Sequence, residues 1–257
     1  MKGSMQPLSP ELNNLLEELV TSFSDMLGDN LMGIYLHGSL SYNAFESERS
    51  DIDVLIVYSH GFSVNTYHTI ESECQRLLKE FPMWARSIEL DMVKKADIST
   101  LVHNTIKTYG FKHATFGRSS MKGFALEAAN LRECGITLLG ESPKELIPEI
   151  SLPMIYEALD EKFHEAKKLF ETYRRENFWN QMYLSILLFR IVYTLRHKGT
   201  PVSKRQAGDW AKENLPEKYQ KMAEIARHGV DDYERPLSEE IDEKLPELFL
   251  YVRAELD

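Results

Sequence analysis

In the stretch HGSLSYNAFESERSDIDVLIVYS, two carboxylates, Asp51 and Asp53, stand at the head of the apolar run VLIVY. Residues two apart in a strand share a face, with Cα atoms roughly 6–7 Å apart. The pair can therefore converge on one cation, and hard divalent cations take carboxylate oxygens. Without a cation, two such groups repel, and burial raises their pKa values. A bare Asp-x-Asp equally suits a solvated strand mouth, with Asp51 capping and Asp53 meeting an arginine. Upstream, Gly38 permits a tight turn, and Ser39 with the amides after it could cradle phosphate oxygens. The alternating run SIELDMV (residues 87–93) puts Glu89 and Asp91 on one side. A third carboxylate from that run completes a site able to activate a hydroxyl, supporting in-line displacement at phosphorus with two metals about 3.5–4 Å apart. Glu89 has the longer reach and is the expected third ligand, with Asp91 as the alternative.

The elements that must hold these residues follow from periodicity. Residues 8–27 form an amphipathic helix, with Ser9-Pro10-Glu11 as cap, helix-starting proline and acidic first turn. Its apolar positions Leu12, Leu15, Leu16, Leu19, Phe23, Met26 and Leu27 recur at helical spacing. Short apolar strands are expected over 31–37, 54–58 and 87–93, and helices over 65–81 and 124–132. The segment ITLLG, ending at Gly140, reads as a strand or extended piece. After Pro143, Pro148 and Pro153 the pattern changes to helices over 154–173, 180–198, 203–214, 217–227 and 238–256. The expectation is an α/β domain over residues 1–150 (a mixed sheet with flanking helices) and an all-α helical bundle over 151–257.

The 43% hydrophobic and 27% charged content suits a globular chain of 257 residues, and no run reaches the roughly 18 apolar residues of a membrane span. The amino-terminal stretch has no apolar core of a signal peptide, so the expected location is cytoplasmic, without membrane contact. A net charge of −10 argues against nucleic-acid binding, which wants a basic surface. It suits a neutral or cationic partner. Cys74 and Cys134 lack metal-ligand spacing and read as reduced packing residues. Arg190 lies in LSILLFRIVYTL, apolar nearly all round and so expected to be buried. A buried guanidinium needs an anionic partner: either an internal one such as Asp209, or a phosphate.

GSLSYNAFESERSDIDVLIV resembles the signature of the nucleotidyltransferase superfamily, and the chain is similar within it to the aminoglycoside O-nucleotidyltransferases, above all the streptomycin/spectinomycin adenylyltransferases. Three further blocks carry the closer likeness: AANLRECGITLLGESPKEL, LLFRIVYTLRHKGTPVSKRQAGDWAKENLPEKYQ and, more loosely, FLYVRAEL. The resemblance implies a nucleotidyltransferase-fold catalytic domain followed by a helical substrate-binding domain. It implies transfer of AMP from ATP to an antibiotic hydroxyl by a monomer, with two Mg²⁺ and release of pyrophosphate. Gly38, Ser39 and Ser50 would contact the triphosphate, and Asp51, Asp53 and Glu89 would hold magnesium. Glu89 would also take the acceptor's proton, while Arg190 and Lys204 would reach the nucleotide phosphates from the helical domain. The expected acceptor is a cationic or polyhydroxylated small molecule.

The chain departs from those enzymes at several positions. Their aspartate in the helix before ITLLG falls at Gly123. Their tryptophan and acidic residues before the Arg190 helix fall near Glu171, Glu176 and Asn180, and the tryptophan is missing, Trp179 being out of register. Glu176 and Asn180 are the expected acceptor contacts, and the missing tryptophan favours spectinomycin over streptomycin. The alternatives are the same chemistry on a non-antibiotic acceptor, such as a protein hydroxyl, or an inactive nucleotide-binding relative.

Overall fold

In a computed structural model, residues 8–42, 44–45, 47, 50–84, 87–101, 106–112, 114–121, 124–232 and 234–257 are described. The chain divides into two compact units, Met1–Ile150 and Ser151–Asp257.

The first unit opens with α1 (Pro10–Leu27), whose cap Ser9 accepts a hydrogen bond from the Leu12 amide. Then come β1 (Leu31–Leu36), a 3₁₀ turn (Gly38–Tyr42), β2 (Ile52–Tyr58), α2 (Val64–Glu80), β3 (Ile88–Lys94) and the short α3 (Ile98–Leu101). They are followed by β4 (Ile106–Lys112), β5 (Thr115–Met121), α4 (Ala125–Cys134), β6 (Ile136–Gly140) and α5 (Pro143–Leu146). Among the described residues the strands form one mixed sheet in the order β5-β4-β3-β2-β1-β6. Only β2 and β3 run parallel; the other neighbours are antiparallel.

The two sheet faces have opposite chemistry because strand side chains alternate. Ile34, Leu36, Val54, Ile56, Ile88, Leu90, Met92 and Phe111 point to one side. There they pack on Leu12, Leu15, Leu19 and Phe23 of α1 and Ile70, Cys74 and Leu77 of α2. The intervening residues His37, Asp53, Glu89, Asp91 and Lys112 share the other face at one end of the sheet. Further along that face Tyr35, Leu55, Val57 and Val93 are buried. The apolar layer thus fixes the strands, and the opposite face presents charge.

The β4–β5 hairpin is absent from the sequence-based expectation. Its register pairs Lys112 with Thr115 across two residues, one of them Ala114 at φ 61°. Such turns normally announce themselves by glycine or asparagine at positive φ, and here neither is present.

The second unit contains α6 (Leu152–Tyr173), α7 (Phe178–Arg196), α8 (Lys204–Asn214), α9 (Glu217–Gly229) and α10 (Glu239–Leu256). Helix α7 is its axis: Phe178, Met182, Leu184, Ile186, Leu188, Phe189, Ile191 and Val192 are all buried, against α6, α8, α9 and α10. Helix α8 begins with a capping box, Ser203 with Gln206. No described helix is long and apolar enough to cross a membrane.

Candidate active site

The site grows out of the turn after β1. Gly38 has φ +59°, a left-handed conformation that a side chain strains. A Cβ there would overlap the carboxylate of Asp53, so glycine is needed both for the turn and for this close approach. The His37 amide donates to the Asp53 carbonyl at 3.0 Å, and Ser41 Oγ donates to the Gly38 carbonyl at 2.7 Å. These bonds lock the turn onto the head of β2. Ser39 Oγ is buried and makes no hydrogen bond among the described residues. Burying an unpaired hydroxyl is costly, so this oxygen is suited to a ligand.

Asp53 lies in register with Glu89 on the parallel strand, and Leu55 with Asp91. Asp51 is exposed at the strand mouth, two residues before Asp53. Burial, then the negative charges of Glu89 and Asp51, push the Asp53 carboxyl from 3.8 up to about 7. Burial also raises Asp91. Lys112, at the end of β4, places Nζ 2.9 Å from Glu89 Oε2 and 3.5 Å from Asp91 Oδ2. Burial alone would lower Lys112, but Asp91 and Glu89 outweigh it and hold the ammonium above its ordinary range. Burial, reinforced by Lys112, pulls His37 down to about 4, so its imidazole is neutral at pH 7.

This donor set suits a hard divalent cation: four carboxylates on one face, two of them, Asp53 and Asp91, made costly to ionise by burial. It is not a preformed cage, because no group of three His, Cys, Asp or Glu side chains among the described residues is gathered to hold a metal. Lys112 meanwhile engages Glu89. The sequence does not single out Lys112, because reading it as a neighbour of Glu89 requires the antiparallel pairing of β4 with β3. The available signal was the two-residue spacing that puts Thr108, Gly110 and Lys112 on one face of the run IKTYGFK.

In the helical unit, Arg190 is half-buried and its Nε donates to the Val202 carbonyl at 3.1 Å. Val202 lies two residues before Lys204, so the guanidinium is pinned beside the start of α8. Asp209 is not its partner: that carboxylate meets Arg227 Nε at 3.0 Å. Among the described residues Arg190 forms no ion pair, and neither does the exposed Lys204. Asn180 and Glu176 are joined, Asn180 Nδ2 donating to Glu176 Oε2 at 3.1 Å. One residue before Asn180, Trp179 is 43% exposed and stacks on Tyr183 with centroids 5.0 Å apart and planes within 8°. Ser50 lies just before Asp51 at the mouth of β2, and Gly123 falls outside the described residues.

A mixed sheet carrying Gly-Ser in the turn after one strand, Asp-x-Asp at the head of the next and a carboxylate on its parallel neighbour defines a nucleotidyltransferase catalytic domain. Residues 16–109 match the nucleotidyltransferase domain family, and residues 145–255 match the family described as aminoglycoside adenylyltransferase, C-terminal domain. The chain is 24% identical to the aminoglycoside (3'') (9) adenylyltransferase of Shigella flexneri, over 96% of this chain and 95% of the relative. It is 23% identical to that of Klebsiella pneumoniae with the same coverage. Its fold is similar to that of the spectinomycin adenyltransferase AAD(9) from Enterococcus faecialis, solved with ATP and spectinomycin. That match has a TM-score of 0.67 and 17% identity, and covers 95% of this chain and 98% of the other. These family matches, one in each part of the chain, support the aminoglycoside nucleotidyltransferase family and a nucleotidyltransferase enzyme.

Proposed function

We propose that this protein transfers AMP from ATP to a hydroxyl of an aminoglycoside or aminocyclitol antibiotic, spectinomycin ahead of streptomycin, releasing pyrophosphate. The observation that carries this reading is the contact of Gly38 with the Asp53 carboxylate, itself in register with Glu89. A phosphate-cradling turn and a pair of acidic side chains are held together by strand pairing. The full-length likeness to aminoglycoside adenylyltransferases supports the acceptor class.

Each residue has a definite task in this scheme. Ser39 Oγ, buried and unpartnered among the described residues, donates to a phosphate oxygen of ATP, assisted by Gly38 and Ser50. Glu89 accepts the proton of the acceptor hydroxyl as that oxygen attacks the α-phosphorus, and pyrophosphate leaves on the opposite side. Arg190 and Lys204 serve the phosphates, arginine through its planar fork and lysine as a point charge. Asp51, Asp53 and Glu89 would hold two Mg²⁺, which when bound supply Lewis-acid charge neutralisation to the triphosphate. Glu176 and Asn180 meet the acceptor, with Glu176 receiving a drug ammonium. The missing tryptophan near Glu176 supports spectinomycin over streptomycin.

The test is pyrophosphate release with ATP and Mg²⁺ in the presence of spectinomycin, streptomycin, kanamycin or lincomycin. Spectinomycin should give the fastest release, streptomycin less, and the other two none above the drug-free rate. Silence on every drug would discard the antibiotic acceptor.

A further inference from the structure

Among the described residues, four carboxylates and one ammonium occupy the charged end of the sheet, and the ammonium is not placed at random. Lys112 Nζ stands between Glu89 and Asp91, 2.9 Å and 3.5 Å from their oxygens. It reaches them from the last residue of β4, where the hairpin turns toward β5. Asp53, in register with Glu89 on the neighbouring strand, has no ion pair among the described residues. Among the described residues the ion pairing is therefore one-sided: Lys112 meets both β3 carboxylates, while Asp53 on β2 has no ion pair.

We propose that Lys112 is a resident counter-cation that holds Glu89 and Asp91 in the metal-free protein and competes with the divalent cation for Glu89. This rests on the assignment of Asp53 and Glu89 as metal carboxylates. An ammonium has no lone pair and carries one charge, so it can mask a carboxylate without coordinating or polarising anything. Its long, half-exposed stem lets it withdraw toward Asp91 or solvent when a dication takes Glu89. Lys112 then has two opposed effects. It stabilises the empty site against carboxylate repulsion, and it weakens metal binding because it repels the dication. Removing a unit charge about 5 Å from a dication in a largely hydrated setting raises affinity about tenfold.

The experiment compares wild type, Lys112→Met and Lys112→Arg by titration with Mn²⁺, free metal being read by electron paramagnetic resonance, and by melting in EDTA. Lys112→Met should bind Mn²⁺ about tenfold more tightly, melt lower than wild type in EDTA, and recover that deficit when Mn²⁺ is added. Lys112→Arg, which keeps the charge, should retain the wild-type affinity. Lys112→Gln repeats the measurement if the methionine variant fails to fold. Unchanged or weaker Mn²⁺ binding by the neutral variants overturns the proposal, as does a melting deficit that Mn²⁺ leaves in place. Loss of metal-free ATP binding with unchanged Mn²⁺ affinity also overturns it, by making Lys112 a phosphate ligand. Drug-dependent transfer by wild type, with no gain of Mn²⁺ affinity in the variants, sinks the lysine role alone. Absence of both transfer and Mn²⁺ binding in wild type sinks the metal-carboxylate assignment with it.

Discussion

Replacing Asp53 with asparagine should stabilise the metal-free protein while abolishing its activity. The Asp53 carboxyl is held from 3.8 up to about 7 by burial and by Glu89 and Asp51. Its folded form therefore prefers to be neutral, whereas the unfolded chain ionises it near its ordinary value. Between about pH 4 and pH 7 the folded protein binds the extra proton, so stability falls as pH rises through that window and levels off above it. About three decades of pH at about 1.4 kcal/mol each give about 4 kcal/mol at pH 8. Asparagine has the shape of the neutral acid and no charge, so Asp53→Asn removes this penalty. Coupling to Glu89 and Asp51 spreads part of the penalty over its neighbours, and a gain of about 2–4 kcal/mol is expected. For a unit of this size that is about 5–10 °C in melting temperature. The assay is calorimetric melting in EDTA at pH 8 and pH 4.5, repeated with Mg²⁺ and ATP at pH 8. In EDTA the variant should melt well above wild type at pH 8, with most of the difference gone at pH 4.5. With Mg²⁺ and ATP, wild type should gain stability and the variant should not. Equal melting at pH 8, or a difference independent of pH, would refute the reasoning.

Glu89→Gln should bind ATP nearly as wild type, yet lower the transfer rate by about 10²–10⁴-fold, the usual worth of a positioned base. ATP affinity by calorimetry and single-turnover kinetics separate the two effects. Full activity in Glu89→Gln with none in Asp91→Asn would move the base to Asp91. Gly38→Ala should cost about 1–2 kcal/mol for its left-handed backbone alone. It should also lose ATP binding, because the added Cβ displaces the Asp53 carboxylate. Retention of nucleotide affinity in that variant would show that the turn and Asp53 do not act together.

The parts of the molecule set by local periodicity were legible in the sequence. Leu12, Leu15, Leu19 and Phe23 announce α1, and its Ser9 cap is in place. The alternation in SIELDMV put Ile88, Leu90 and Met92 on the apolar face, as observed, with Glu89 and Asp91 on the other. The β4–β5 hairpin was not legible, since its turn uses Ala114 at positive φ and glycine, a weak strand former, occupies the paired positions Gly110 and Gly117 within the strands. With β4 went Lys112, whose contact with Glu89 depends on the antiparallel pairing of β4 with β3. Arg190 was legible as an oddity but not in its contacts. Asp209 looked available, yet packing of α8 on α9 gives it to Arg227. Which carboxylate an arginine meets is decided by helix packing, for which the sequence carries no short-range signal.

The electrostatics of the sheet face also bear on how nucleotide can bind there at all. Asp51, Asp53, Glu89 and Asp91 bring four carboxylates to the mouth of β2 and β3, and Lys112 meets two of them, Glu89 and Asp91. A triphosphate is itself strongly anionic, and two anionic groups a few ångströms apart repel by several kcal/mol at an effective dielectric near 20. Protonating Asp53 relieves part of this, but a protonated carboxyl is a poor ligand and a neutral site gives no pull on the phosphates. Positive charge from outside the sheet is therefore required, and the acidic face selects its kind. A monovalent cation would compensate no better than Lys112 already does, whereas a dication held by Asp51, Asp53 and Glu89 would supply enough positive charge to offset both the carboxylates and the phosphates. On this argument the acidic face is no obstacle to binding ATP. Under the proposed scheme it would make binding conditional on the metal, and would keep the bare nucleotide from a site where Glu89 would otherwise meet water.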